Sequence, residues 1–145
     1  MKVRSFLTLN LTLFFLLTSV LAMAADLVVV THPSNGIEKM SKDDVINIYM
    51  GRYRKLANGE TAIPLDLKQP PGEKAQFYNI LVGKELAEIN SYWARLMFSG
   101  QGSPPRQAEN VDEAIEFVKN NKGALAYIDR KKVDKRVKVI FDLAQ

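Results

Sequence analysis

Apolar residues come in short, well-bounded groups along this chain, and the spacing inside each group changes from one to the next. "DLVVVTH" (26–32) is a continuous, mostly β-branched run, the pattern of a strand covered on both faces. After the loop "PSNGIEKM", Ser41 stands three residues before Asp44, which predicts a helix start. Val45, Ile48 and Tyr49 form that helix's apolar face, and Gly51 ends it. "NGETAIPLDL" opens on an Asn58-Gly59 turn and alternates Ile63, Leu65 and Leu67, the period of a strand. Pro64 within it predicts an edge position or a bulge. Two helices follow, at about 73–82 and 85–98, the second with Leu86, Ile89, Trp93 and Leu96 on one stripe. "SGQGSPPRQ" (99–107) is a loop by composition. Asn110 with Glu113 caps a helix carrying Val111, Ala114, Ile115 and Val118, which Gly123 closes. "ALAYI" is a strand, and "VKVIF" alternates Val137, Val139 and Phe141 as a last one. Strands interleaved with helices predict an α/β fold, a small mixed sheet flanked by helices.

The N-terminus follows a different rule. Lys2 and Arg4 precede an apolar run from Phe6 to Leu21, and Ala22-Met23-Ala24 fits a small-x-small cleavage site, so residues 1–24 read as a cleaved secretory signal peptide. That leaves 25–145 as a single domain in the periplasm or outside the cell, not membrane-spanning after cleavage. Lys2 and Arg4 leave with the signal. The 20 basic residues become 18 against 16 acidic ones, and the net charge falls from +4 to +2, which does not argue for nucleic acid. The chain has no cysteine, so disulfides, thiolate zinc sites, cysteine nucleophiles and the lipid attachment used by bacterial lipoproteins are all excluded. No cofactor or metal is expected.

Several of these stretches, taken in order, resemble a known family. "LVVVTHPSNGIEKMSKDDVINIYMGRYRKLANG", the "FY" inside a helix and "KGALAYID" are similar to the substrate-binding protein of the bacterial phosphate ABC transporter. More closely they resemble short proteins with the related PBP-like domain. The correspondences are Met40-Ser41 at a helix start, Ile48-Tyr49-Met50-Gly51 at its end, and Lys122 to Tyr127 in a late strand. The resemblance implies one lobe of a type 2 periplasmic binding protein, phosphate or another small oxyanion as ligand, an ABC permease as partner, and no enzymatic activity. An alternative is a lobe without ligand that serves as an interaction module for an envelope protein. Where the family reads Arg-x-Asp-Gly-Ser-Gly-Thr, this chain has Leu67 to Glu73, and only Gly72 matches. Pro70 and Pro71 remove two donors from that bend, and Glu73 puts a carboxylate where a helix N-terminus would attract an anion.

The candidate ligand residues fall in three stretches. Gly72 keeps the family's place in the bend, with Lys74 and Lys68 as point charges. In 99–106, the backbone of Ser99, Gly100, Gly102 and Ser103 offers an anion nest with Arg106 as counter-charge, in the place of a family loop beside the ligand cleft. The same residues also read as a plain helix-stop loop. Ser34 and Asn35 follow the first strand, a common ligand position in open α/β sheets. His32 beside Ser34 invites a hydrolase, but no carboxylate is placed to orient it and no G-x-S-x-G elbow exists. Six basic residues in 130–138 suit either an acidic partner or a solvated loop guarding a sheet edge. Tyr92, Trp93, Phe98 and Tyr127 have the spacing of core residues rather than of a stacking platform.

Overall fold

The structure is a computed structural model that describes residues 23–145. The export segment predicted for 1–24 therefore falls almost wholly outside the described residues. The elements run β1 (Leu27–Thr31), α1 (Lys42–Tyr49), β2 (Ile63–Leu67), α2 (Glu73–Val82), α3 (Leu86–Phe98), β3 (Arg106–Ala108), α4 (Val111–Asn120), β4 (Ala124–Asp129) and β5 (Lys138–Asp142). The strands make one mixed sheet in the order β3-β2-β4-β1-β5. β2 is parallel to both neighbours, and β1 is antiparallel to both of its own. All five residues of β1 are buried, as a strand flanked on both edges and covered on both faces requires.

The helix starts obey their local signals. Ser41 Oγ accepts the Asp44 N–H at 3.1 Å, and Asn110 Oδ1 accepts that of Glu113 at 2.9 Å. Before α3, the Glu85 N–H donates to Glu88 Oε2 at 3.0 Å, half of a reciprocal capping box. α4 packs across β1 to β4, while α1, α2 and α3 touch one another in sequence. Where they meet the sheet, the Phe77 ring stacks on Tyr127 at 3.9 Å and the edge of Tyr49 meets Phe77 at 4.7 Å.

Five expectations need correction. β2 is an interior strand, not an edge. Its Ile63 N–H bonds towards β4 and the Lys68 N–H towards β3, so by alternation the Pro64 nitrogen faces β3. β3 is too short to reach it, because its register begins at Leu65. Gly123 does not close α4, which ends at Asn120 with Asn121 as its cap. A Cβ at Gly123 would lie 1.9 Å from the Thr61 carbonyl oxygen, so the residue is glycine because two backbones touch there. The β5 alternation breaks at a bulge: Val29 pairs with Phe141 and Val30 with Val139, leaving Ile140 as an extra, buried residue. Arg106 and Gln107 belong to a strand rather than to the loop. Phe98, expected in the core with the other aromatics, is 97% exposed at the end of α3.

Candidate functional site

The bend after β2 is organised around a residue that the sequence reading passed over. Asp66, only 1% exposed, sits in the interior of the sheet. Its Oδ1 accepts from Tyr78 Oη at 2.9 Å and Tyr127 Oη at 3.3 Å, and its Oδ2 pairs with Lys74 Nζ at 3.1 Å. Tyr127 Oη in turn accepts the Leu67 N–H at 3.0 Å. Burial pushes the Asp66 carboxyl above its ordinary pKa, and the Lys74 charge pulls it back. Burial and the Asp66 charge hold both phenols far above theirs, which keeps them hydrogen-bond donors. An acid at the outward parity of a presumed edge strand reads as solvated. Only the strand order puts it inside.

Gly72 precedes α2 and is exposed. The next residue, Glu73, is 9% exposed, with Oε2 buried and unpartnered among the described residues. Burial first, then the Asp129 charge, raises its pKa, against a smaller opposing pull from Lys132. Lys68 pairs with Glu109. Both lysines at the bend are thus neutralised by carboxylates, and the helix N-terminus carries an acid of its own. An anion arriving here meets the Glu73 carboxylate and two lysines already held by acids, with Lys132 as the remaining cation that acts on Glu73.

The other end of the parallel strands is different. A cleft of about 650 Å³ lies between the end of α1, the start of β2, α3 and the loop into β3. Its lining brings together Gly100, Gly102, Ser103 and Arg106 with Tyr53, Arg54, Trp93 and Met97. It contains two arginines and no carboxylate. Arg54 Nη2 donates to the Gln101 carbonyl at 3.1 Å, tying α1's exit to the loop. The Arg106 guanidinium lies over the Phe117 ring, 4.6 Å from its centroid. Neither forms an ion pair among the described residues. Trp93 seats against Gly51, where φ is +73° and a Cβ would come within 2.7 Å of the indole.

The loop's first amides are spent on the helix. The N–H groups of Ser99, Gly100 and Gln101 donate to the carbonyls of Arg95, Met97 and Leu96, at 3.1, 3.1 and 2.8 Å. Ser99 Oγ also bonds the Leu96 carbonyl at 3.2 Å. These bonds close the C-terminal end of α3, which carries partial negative charge. What the loop offers a ligand is therefore the stretch from Gly102 to Arg106.

Ser34 and Asn35 stand apart from that cleft. Asn35 is buried: its Nδ2 donates to Thr31 Oγ1 at 2.7 Å and the Lys122 carbonyl at 3.3 Å, and its Oδ1 accepts the Ile37 N–H at 3.0 Å. Exposed Ser34 donates its N–H to His32 Nδ1 at 3.0 Å. In the basic stretch, Arg130 pairs with Asp26 and Asp142, Arg136 with Asp134 and Glu116, and Lys138 with Glu38. Half of its positive charge is thereby neutralised within the chain.

No protein-family model matches the chain, and no curated protein matches it significantly. Solved structures do. An ABC-type phosphate transport receptor from Vibrio cholerae superposes with a TM-score of 0.63 at 17% identity, over 80% of this chain and 45% of its own. A phosphate-bound protein from Clostridium perfringens, assigned as a phosphate ABC transporter substrate-binding protein, gives 0.63 at 16% identity, over 80% of this chain and 44% of its own. The chain thus spans less than half the length of these structural neighbours. At such identities the likeness is one of fold: the described chain folds as one lobe of a phosphate ABC transporter substrate-binding protein.

Proposed function

We propose that this protein is an exported, periplasmic solute-binding-type domain that holds a small oxyanion weakly, in the cleft beside Arg54 and Arg106 rather than at the 70–74 bend. The observation that carries this reading is the contrast in charge between the two places. Two arginines and no acidic residue are among the residues lining the cleft, Arg54 with its guanidinium on the Gln101 carbonyl and Arg106 with its guanidinium over Phe117. At the bend, Lys74 is bound to Asp66, and Glu73 occupies the helix start. A guanidinium without a carboxylate partner presents planar donors suited to an oxyanion. Ser103 Oγ and the Gly102 and Ser103 amides add neutral donors nearby. The transporter context of the structural neighbours supports an ABC permease as the membrane partner.

The test is isothermal titration of the purified protein with inorganic phosphate and sulfate at low ionic strength. Saturable heat in the millimolar range is expected, weakened several-fold by Arg106→Ala and unchanged by Lys68→Ala at the bend. Absence of heat with either anion, or loss of binding in Lys68→Ala instead, would remove the assignment.

A second reading has one observation in its favour. Tyr53 and Met97 on the rim of the cleft are 51% and 52% exposed, and Phe98, next after Met97 in the chain, is 97% exposed. An apolar rim of that kind suits an envelope protein partner. Stoichiometric recovery of one envelope protein, abolished by Phe98→Asp, would favour the interaction module over the small-ligand site.

A further inference from the structure

The oxyanion reading leaves most of the cleft without a purpose, and this inference rests on that reading while narrowing it. At about 30 Å³ per molecule of liquid water, the cleft holds on the order of twenty waters. A bare tetrahedral ion would fill a small part of it and leave the rest wet. Volumes in this range belong to ligands with an organic body.

The walls agree with the size. Trp93, Met97, Pro104 and Pro105 line the same cleft as Arg54 and Arg106. Met97 and Tyr53 leave about half of their surface uncovered. Arg54 and Arg106 are both exposed, where charge attraction is weak and salt screens it further. Three of the loop's amides, those of Ser99, Gly100 and Gln101, are committed to the end of α3, which leaves a naked ion only those of Gly102 and Ser103. Affinity must therefore come from apolar contact, with the charge setting orientation and excluding cations.

We propose that the cleft takes an amphipathic anion, an oxyanion head carried on an apolar body at least the size of an aromatic ring, in preference to a free inorganic ion. The head lies towards Arg54 and Arg106, and the body covers Met97 and the prolines.

Trp93 is the chain's only tryptophan and lies in the cleft lining, so its fluorescence reports occupancy directly. The probes are phenyl phosphate, inorganic phosphate and benzyl alcohol, which separate head from body. Phenyl phosphate is expected to half-saturate the signal at a concentration at least tenfold below that of inorganic phosphate, about 1.4 kcal/mol. Benzyl alcohol should give no saturable change. Met97→Ala should shrink the tenfold ratio, and Arg106→Ala should weaken both anions alike. Melting curves on each variant check that the fold is kept. Equal affinity for phenyl phosphate and phosphate would overturn this inference and leave the oxyanion reading standing. Silence from both anions, or binding of benzyl alcohol as tight as that of phenyl phosphate, would overturn both.

Discussion

Glu73 shows how much one residue decides at the bend. Its carboxylate sits at the first position of α2, where the helix end favours negative charge. It is nevertheless buried with Oε2 unpartnered among the described residues, and Asp129 repels it. Its folded pKa therefore lies above the unfolded value of about 4.3. The sign follows from linkage: this group's contribution to stability is complete below the unfolded pKa and is lost as pH rises through the raised one. Glu73→Gln has nothing to titrate there, so the variant should gain on the parent as pH rises. We expect equal melting temperatures near pH 4 and an advantage of about 1 kcal/mol, or roughly 4 °C, for Glu73→Gln at pH 8. Melting curves that coincide at both pH values would show that the ionised side chain costs the fold nothing.

Single elements repeat the lesson that local chemistry sets local structure. α1 has eight residues, too few to persist in water without its cap and its packing. Removing the Ser41 hydroxyl by Ser41→Ala frees the Asp44 N–H and should cost about 1 kcal/mol in urea unfolding, with Ser41→Gly costing less. An unchanged unfolding midpoint in Ser41→Ala would mean that water replaces the cap in full. Signals of this kind are short-range, and the helix starts at Ser41 and Asn110 were legible in the sequence for that reason. Gly123 was misread because glycine after a helix has two uses. Only the approach of the Thr61 carbonyl, from a segment remote in sequence, shows which one applies. The β5 bulge is of the same type, since an extra residue is defined only against the strand it faces.

Across the whole molecule, protection should follow the strand order. β4 lies between β2 and β1 and β1 between β4 and β5, while β3 is a three-residue edge. Native-state hydrogen exchange should find Val29 and Ala126 among the slowest amides and the β3 amides the fastest of the strands. Protection of β3 equal to that of β4 would point to a cover on that edge that the sheet itself does not supply. The same order explains the division of the candidate residues. Gly100, Gly102, Ser103 and Arg106 meet at the cleft, whereas Gly72 and Lys74 lie past the far end of β2, and Ser34 and Asn35 belong to another loop. Periodicity and capping act over a few residues, and by themselves they determined which segments are strands or helices and hence the α/β class. Strand pairing in the sheet joins residues 41 or more positions apart. That pairing alone decided that Asp66 lies inside, that Pro64 faces a gap beside β3, and that two arginines 52 positions apart share one acid-free cleft. The physical reason is that burial and charge environment belong to neighbours in space, which no local pattern of residues encodes.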